Sequence, residues 1–446
     1  MSDSTETSSS DAPPGEAGNT DWALIIALDC ERLTTAPKRV SLAHATAVDV
    51  GRGDLRNIHA IDRRMRIDLP DRWTSQVHAH LSRHGDGWIV EDASSKNGTR
   101  VNGDRVNRAA LADGDILEIG GTHLVFRCGA PPTSTSRDMF NSADSLTTMS
   151  PSFERELAVL PKIARSRVPV LVRGETGTGK EVIAKAVHAL SGRSGPLLPV
   201  NCGAIPAGLL EGELFGSRRG AFSGAEDRTG LIRSAEHGTL FLDEVVELPV
   251  PSQAALLRFL QDGEITPLGS DKRIIVDVRV VAATNKSMEE LVAQGQFRRD
   301  LYARLCGYVM HLPPLRARME DLGLLSSSLL ARLDPHRSIR RLSRAAARAL
   351  FLHNWPLNVR ELEQALRAAL ATATNAEIGE NDLRLATGMA TTFTNHSADG
   401  RAQLVSLLDR HAGNLSAVAR ELSTSRTQIA RLLARHSVAP GDYKRR

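Results

Sequence analysis

The chain has 446 residues, 41% of them hydrophobic and 24% charged, with a formal net charge of +4. That predicts about three globular domains of roughly 100–200 residues each and excludes a polycation as a whole. No run of about 18 apolar residues occurs, so no membrane-spanning helix is expected. The four cysteines, Cys30, Cys128, Cys202 and Cys306, lack the spacing of a zinc site or redox pair and fit a reducing, cytoplasmic setting.

Residues 1–22 read as a disordered tail. They are polar and acidic, with Pro13-Pro14 and no basic-then-apolar signal pattern. From 23 to 128 short strands are expected at Ala23–Leu28, Ala47–Val50, Met65–Leu69, Val77–Leu81, Trp88–Val90, Ile116–Ile119 and His123–Phe126. Gly85-Asp-Gly87, Asn97-Gly98, Asn102-Gly103 and Asp113-Gly114 lie between them, and such pairs supply the positive φ of tight hairpins. An all-β sandwich follows. Residues 129–149, with Pro131-Pro132, are a linker.

Within this segment Gly51-Arg52, Ser75-x-x-His78 and Asp92-x-x-Ser95-x-Asn97-Gly98-Thr99-x-x-Asn102-Gly103 occur in order. The segment resembles a forkhead-associated (FHA) domain, which implies phosphothreonine-peptide binding. A guanidinium (Arg52) and a hydroxyl (Ser75) suit phosphate oxygens, and Asn97 suits the peptide backbone. Gln76 and Lys96 are further candidate peptide contacts, and His78 is expected to buttress the loop. Asp54–Arg72, with five Arg and four Asp, reads as an insertion.

From 150 to 386 strand and helix signals alternate, an α/β parallel-sheet pattern. Strands are expected at Val168–Val172, Thr239–Leu242 and Val278–Ala282, and a helix at Glu181–Leu190. Gly174-Glu175-Thr176-Gly177-Thr178-Gly179-Lys180-Glu181 joins the first strand to that helix, the context of a P-loop. Its backbone N–H groups and helix N-terminus favour phosphates, and Lys180 adds a point charge. Asp243-Glu244 ends an apolar strand, where one carboxylate can hold Mg²⁺ (Asp243) and its neighbour can polarise water. Asn285 ends another strand. Some forty residues beyond the P-loop, Gly220-Ala221-Phe222-Ser223-Gly224-Ala225 is a glycine-flanked loop tipped by one aromatic.

These motifs, with Glu213-Leu-Phe-Gly216, Phe297-Arg298-x-Asp300-Leu301-x-x-Arg304-Leu305, Leu312-Pro-Pro-Leu-Arg316 and Trp355-Pro-x-Asn358-x-Arg360-Glu-Leu362, resemble the AAA+ ATPase domain of bacterial enhancer-binding proteins, the activators of sigma-54 RNA polymerase. Glu181 fits that family. The resemblance implies ATP and Mg²⁺ as cofactors and an oligomeric ring, hexamer-like, as the active ATP hydrolase. It implies that Asn201 pairs with catalytic Glu244, that Arg298 and Arg304 are fingers reaching a neighbouring subunit's nucleotide, and that Arg360 is the lid's nucleotide sensor. The loop 220–225 would touch sigma-54. Three departures stand out: Ser223 for Thr, and His237 and Leu357 for Gly. Leu357 loses access to positive φ, so an altered lid turn is expected.

Residues from about 316 to 386 read as a helical lid and 387–400 as a second linker. Residues 401–446 hold nine basic against three acidic residues, which favours a polyanion. Helices are expected from Gln403, Asn414 and Ser425, with Leu404, Leu407, Leu408, Val418, Ala419, Leu422, Ile429, Leu432 and Leu433 inward. This all-α segment resembles the Fis-type helix-turn-helix that binds DNA, with Arg426, Thr427, Gln428 and Arg431 as candidate contacts.

The order of domains implies a cytoplasmic, phosphosignal-gated transcription activator with sigma-54 polymerase, enhancer DNA, a phosphothreonine protein and other copies of itself as partners, in a two-component-like role. The alternative is a DNA-binding regulator or repressor that keeps the AAA+ fold without productive sigma-54 contact, on the strength of Ser223 and Leu357. A further possibility is that the FHA domain docks on its own linker, at phosphorylated Thr133, Thr135, Thr147 or Thr148.

Overall fold

A computed structural model describes residues 21–129, 146–221, 226–336, 341–373, 376–385 and 398–411, with Asn414, Val418, Ile429, Leu433 and Val438 beyond them. The first domain is a sandwich of two six-stranded sheets. Its strands are β1 (Trp22–Asp29), β2 (Lys38–Ser41), β3 (Ala47–Arg52), β4 (Asn57–Ile61), β5 (Arg64–Leu69), β6 (Ala79–His84), β7 (Gly87–Asp92), β8 (Thr99–Val101), β9 (Asp104–Val106), β10 (Arg108–Leu111), β11 (Ile116–Ile119) and β12 (Thr122–Cys128). One sheet runs β2-β1-β12-β11-β8-β9 and the other β10-β7-β6-β3-β5-β4. Leu24, Ile26, Val48, Val50, Leu81, Trp88, Leu117 and Phe126 fill the space between them.

The segment read as an insertion folds into the β4–β5 hairpin, whose β5 pairs in parallel with β3 and buries Ile67 and Leu69 in the sandwich core. The strand expected from Val77 starts instead at Ala79, because His78 is turned into the loop that precedes it. β2, β4, β8, β9 and β10 are only three to five residues long, too short to announce themselves by alternation; their pairing partners define them.

The second domain has a five-stranded parallel sheet. Its strands are β13 (Val170–Arg173), β14 (Leu197–Asn201), β15 (Thr239–Asp243), β16 (Arg279–Thr284) and β17 (Tyr308–His311), in the order β14-β15-β16-β13-β17. Helices α1 (Pro151–Ala164), α2 (Lys180–Ser191), α3 (Ala207–Phe215), α4 (Val250–Asp262) and α5 (Arg299–Leu305) accompany it. β15 and β16 are buried along nearly their whole length, as parallel strands covered on both faces must be.

The lid packs α6 (Leu322–Leu333), α7 (Arg344–Leu352) and α8 (Asn358–Thr372) together. Leu362, Ala365, Leu366 and Ala369 give α8 its buried stripe, at helical spacing. Ser343 caps α7 by accepting the N–H of Ala346.

The sandwich and the lid share one apolar cluster. Ala27, Leu28, Cys30, Leu33 and Val125 pack with Leu322, Leu330, Leu342 and Phe351. This accounts for β1, which is apolar without alternation: Leu24 and Ile26 face the sandwich core, and Ala27 and Leu28 face the lid. α6 approaches so closely that a Cβ on Gly323 would lie 1.9 Å from the carbonyl oxygen of Ala27. Two buried ion-pair groups flank the contact. Glu118 takes Arg348 at 2.6 Å and Arg344 at 3.2 Å, and Arg127 meets the fully buried Glu320 at 2.5 Å.

Two linker expectations need correction. Thr148 and Met149 are buried against Asp321, so the end of the first linker belongs to the ATPase domain's packing. Helix α9 (Ala398–Arg410) begins inside the expected second linker. Leu404, Leu407 and Leu408 of this helix share one cluster with Val418, Ile429 and Leu433, all of them expected inward; Ala419, Leu422 and Leu432, also expected inward, lie outside the described residues. Arg426, Thr427, Gln428 and Arg431 lie outside the described residues. Among the described residues no helix is long and apolar enough to cross a membrane, and the four cysteines are free.

Candidate functional site

The P-loop leaves β13 and opens α2, at the carboxyl ends of the parallel strands. Gly177 and Gly179 adopt φ of 79° and 106°, values that other residues reach only under strain. Lys180 is 8% exposed, and its Nζ donates to the carbonyl of Gly174 at 3.2 Å and lies 3.4 Å from Glu244 Oε1. The other Glu244 oxygen accepts the N–H of Asn285 at 3.2 Å, and Asn285 Nδ2 donates to Thr176 Oγ1 at 3.1 Å. Three strand ends are thereby tied to one loop. Asp243 caps the backbone of Glu244, which itself sits at φ 50°.

Asn201 lies opposite Asp243 in the β14–β15 register. The expected pairing with Glu244 is not the arrangement found. Asn201 Oδ1 accepts the N–H groups of Gly203 and Ala204 at 3.0 and 3.1 Å, closing its own turn. Glu181 forms an exposed i,i+4 ion pair with Lys185.

The lid closes on the same loop. Glu175 accepts both ends of the Arg316 guanidinium, at 2.8 and 2.5 Å, and those bonds hold its carboxyl below the ordinary range. Arg318, buried, donates to the carbonyl of Thr178 at 2.9 Å. The N–H of Val359 donates to Gly177 O, and a Cβ at Gly177 would lie 2.2 Å from Leu357 O and 3.0 Å from Arg360 Cβ. Arg360 therefore stands over the P-loop. Leu357 has φ −104°, so it bears no positive-φ strain itself. The left-handed positions are its neighbours, Trp355 (φ 51°) and Asn358 (φ 55°).

Asn358 is the residue that sequence reasoning passed over. It is fully buried, accepts the N–H of Leu315 at 2.7 Å, and donates to Glu175 Oε2 and Thr176 O, each at 3.1 Å. Its signal was an Asn two residues after Pro356, in a turn that needs positive φ. His237, by contrast, bears the cost of replacing Gly: it sits at φ 56°.

Arg298 and Arg304 are not part of this cluster. Arg298 forks onto Asp300 at 2.7 and 3.1 Å, and Arg304 Nε donates to the carbonyl of Leu260. Neither hydrogen-bonds to the chain's own P-loop among the described residues. In the loop 220–225, Gly220 (φ 89°) and Ala221 are described; Phe222, Ser223, Gly224 and Ala225 lie outside the described residues.

A second constellation occupies one end of the sandwich. The N–H of Arg52 donates to Ser75 O at 2.9 Å, and Ser75 Oγ accepts the N–H of Lys96 at 3.1 Å, so three loops meet. A Cβ at Gly51 would lie 2.1 Å from Gln76 O, which is why glycine precedes Arg52. His78 is buried and buttresses the cluster. Its Nδ1 accepts the N–H of Ser75, so Nε2 carries the proton and donates to Gly98 O; burial keeps its pKa below the ordinary value. Asp92 accepts Ser95 N–H, Ser95 Oγ and Thr99 Oγ1, which shapes the loop bearing Lys96 and Asn97. Arg52, Gln76 and Lys96 are exposed, and Arg52 makes no ion pair among the described residues. Thr133 and Thr135 lie outside the described residues. Thr148 is buried with its hydroxyl donated to Asp321, which leaves no room there for a phosphate.

A P-loop, a strand-end acidic pair and a lid closing over both define a P-loop ATPase of the AAA+ class. Comparison with known proteins agrees. The profile of the sigma-54 interaction domain matches residues 146–311, that of the AAA+ ATPase lid domain 316–399, and that of the FHA domain 48–120. The transcriptional regulatory protein GlrR of Escherichia coli K12 is 39% identical over 310 residues, covering 68% of this chain and 70% of its own. XylR of Pseudomonas putida is 42% identical over 303 residues, 64% of this chain and 54% of that protein. The crystal structure of NtrX from Brucella abortus in complex with ADP superposes with a TM-score of 0.52 at 27% identity, covering 66% of this chain and 70% of that one. The chain belongs to the family of transcriptional regulators built on the sigma-54 interaction domain, and it carries an FHA domain in front of that ATPase.

Proposed function

We propose that the chain is an ATP-driven activator of sigma-54 RNA polymerase, assembled as a ring and gated by phosphothreonine recognition at its FHA domain. The observation that carries this reading is the convergence of Glu244, Asn285, Asn358 and Arg360 on the P-loop and its Lys180, with Asp243 next to Glu244, while Arg298 and Arg304 project elsewhere. Lys180 and the P-loop amides would bind the β/γ-phosphates. Glu244, held by Lys180 and the Asn285 amide, would orient and deprotonate the attacking water. Asn201, in register with Asp243, would take Glu244 only after leaving its present turn.

Mg²⁺ binds through one or two carboxylates with phosphates and water rather than in an all-protein cage. Asp243 at the strand end fits that pattern, and among the described residues there is no group of three metal-binding side chains. The ion would neutralise charge on the phosphates. Arginines 298 and 304 suit a neighbouring subunit's nucleotide, where they would stabilise charge on the transferring phosphoryl group.

Arg52, Ser75, Gln76, Lys96 and Asn97 form the phosphopeptide surface, and the C-terminal segment, through Arg426, Thr427, Gln428 and Arg431, binds enhancer DNA. Leu357 itself sits at negative φ, which supports the activator reading over a regulator without sigma-54 contact. The decisive experiment replaces Phe222 by Ala. ATP hydrolysis should persist while transcription from a sigma-54 promoter in vitro is lost. Unchanged transcription would refute the activator reading.

A further inference from the structure

Asn97, on the phosphopeptide surface, does not stand alone. Its Nδ2 donates to the carbonyl of Trp73 at 2.6 Å, and its Oδ1 faces Nη1 of Arg344 at 3.4 Å. Arg344 is the first residue of α7, in the ATPase lid. Its guanidinium also lies 5.7 Å from the ring centre of Trp73, and its other nitrogen meets Glu118 at 3.2 Å. A residue of the second domain thus reaches into the candidate peptide-reading loops of the first.

The hydrogen-bonding inventory of an amide gives this contact its meaning. Asn has two donor hydrogens on Nδ2 and two acceptor positions on Oδ1. Trp73 O uses one donor and Arg344 uses one acceptor position. One donor and one acceptor remain, on adjacent atoms, which is the complement of a peptide N–H and C=O. Both partners also fix the sense of the amide. Rotating it by a half turn would set Nδ2 against a guanidinium and Oδ1 against a carbonyl, two repulsive contacts in place of two attractive ones.

We propose that Arg344 of the lid is a positioning residue for the phosphopeptide site: it holds the Asn97 amide in the orientation that reads a peptide backbone. This rests on the FHA reading given above. Peptide recognition by the first domain is then completed by the second and depends on the lid being docked against the sandwich. Ligands of the two domains become linked through the placement of α7, and such linkage is reciprocal.

Arg348 supplies the control. It sits one turn further along α7 and pairs with the same Glu118, at 2.6 Å, without touching Asn97. The full-length chain is used throughout. A phosphothreonine peptide is first selected by the wild type from a degenerate synthetic library, and its affinity is then measured by fluorescence anisotropy. Arg344→Ala should weaken binding about fivefold, the effect of one lost hydrogen bond. Arg344→Lys, which keeps a cationic donor, should recover part of that loss. Arg348→Ala should stay within about twofold of the wild type.

If Arg344→Ala binds as the wild type does, while Arg52→Ala no longer binds, the inference is overturned and the FHA reading stands. If Arg344→Ala and Arg348→Ala weaken binding equally, the effect comes from the domain contact as a whole and the positioning role is likewise refuted. If the wild type selects no phosphothreonine peptide, the FHA reading itself fails, and this inference with it.

Discussion

Replacing Asn358 by Ala tests how the lid is tied to the nucleotide loop. The side chain is fully buried and makes three hydrogen bonds, to Leu315 N, Glu175 Oε2 and Thr176 O. Each is worth about 1 kcal/mol net, and the stranded buried N–H of Leu315 adds roughly 1–3 kcal/mol. Residue 358 also sits at φ 55°, where Ala costs about 1 kcal/mol more than Asn. Asn358→Ala should therefore destabilise the lid by about 5–7 kcal/mol. Asn358→Gly loses the same bonds but tolerates the backbone, and should be about 1 kcal/mol milder. The assay is urea unfolding followed by tryptophan fluorescence, because Trp355 lies in the same turn. A fluorescent ATP analogue measures the second effect, weaker nucleotide binding, since Glu175 and Thr176 lose their lid partner. An Asn358→Ala protein within about 1 kcal/mol of the wild type, binding the analogue equally well, would refute the assigned role. Equal losses for Ala and Gly would refute the backbone part alone.

Further outcomes follow from the same geometry. Glu244→Gln keeps the shape of the side chain but not its charge; it should bind nucleotide normally and hydrolyse it at least about 100-fold more slowly, in a steady-state phosphate-release assay. His123 is fully buried, stacked on Phe351 at 4.8 Å, and burial lowers its pKa to about 4. Its folded pKa lies below the unfolded value, so the stability it confers is complete above pH ~6.5 and falls as acid is added, by about 2 kcal/mol at pH 5. Thermal unfolding between pH 7 and 5 should show this loss, and His123→Phe should flatten it; an unchanged slope would contradict a neutral buried ring. Gly323→Ala places a Cβ 1.9 Å from Ala27 O and should separate the sandwich from the lid, detected as faster proteolysis between residues 129 and 146 with ATP binding retained.

The P-loop and the acidic strand end were legible because each is local, and the FHA loops because each of the three carries its own short motif. A strand, a tight turn and the residues on it are neighbours in sequence, and glycines mark the positions where backbone passes close. β1 announced itself as an apolar run, but the run could not say that one of its faces belongs to another domain. Leu357 shows the limit of pattern comparison. Its replacement of Gly predicted strain, yet the positive φ values fall on Trp355 and Asn358, and only the turn's geometry shows that. Asn201 was expected to pair with Glu244; its strand sets it beside Asp243, and its hydrogen bonds go to its own turn.

By itself the sequence determined the chemistry: a phosphate cradle, a carboxylate pair, candidate trans arginines and a loop cluster suited to a phosphopeptide. It did so because those functions depend on short segments whose conformation is set by glycine, proline and hydrogen-bonding side chains nearby. The tertiary structure decided how the pieces meet. Asn358 against Glu175, Arg318 against Thr178, and Arg344 against Asn97 span 183, 140 and 247 residues of chain. No local rule links such positions. Arg344 reaches Asn97 because two apolar surfaces, one on β1 and β12 and one on the lid, are buried against each other, while Asn358 and Arg318 reach the P-loop because the lid region folds back onto it.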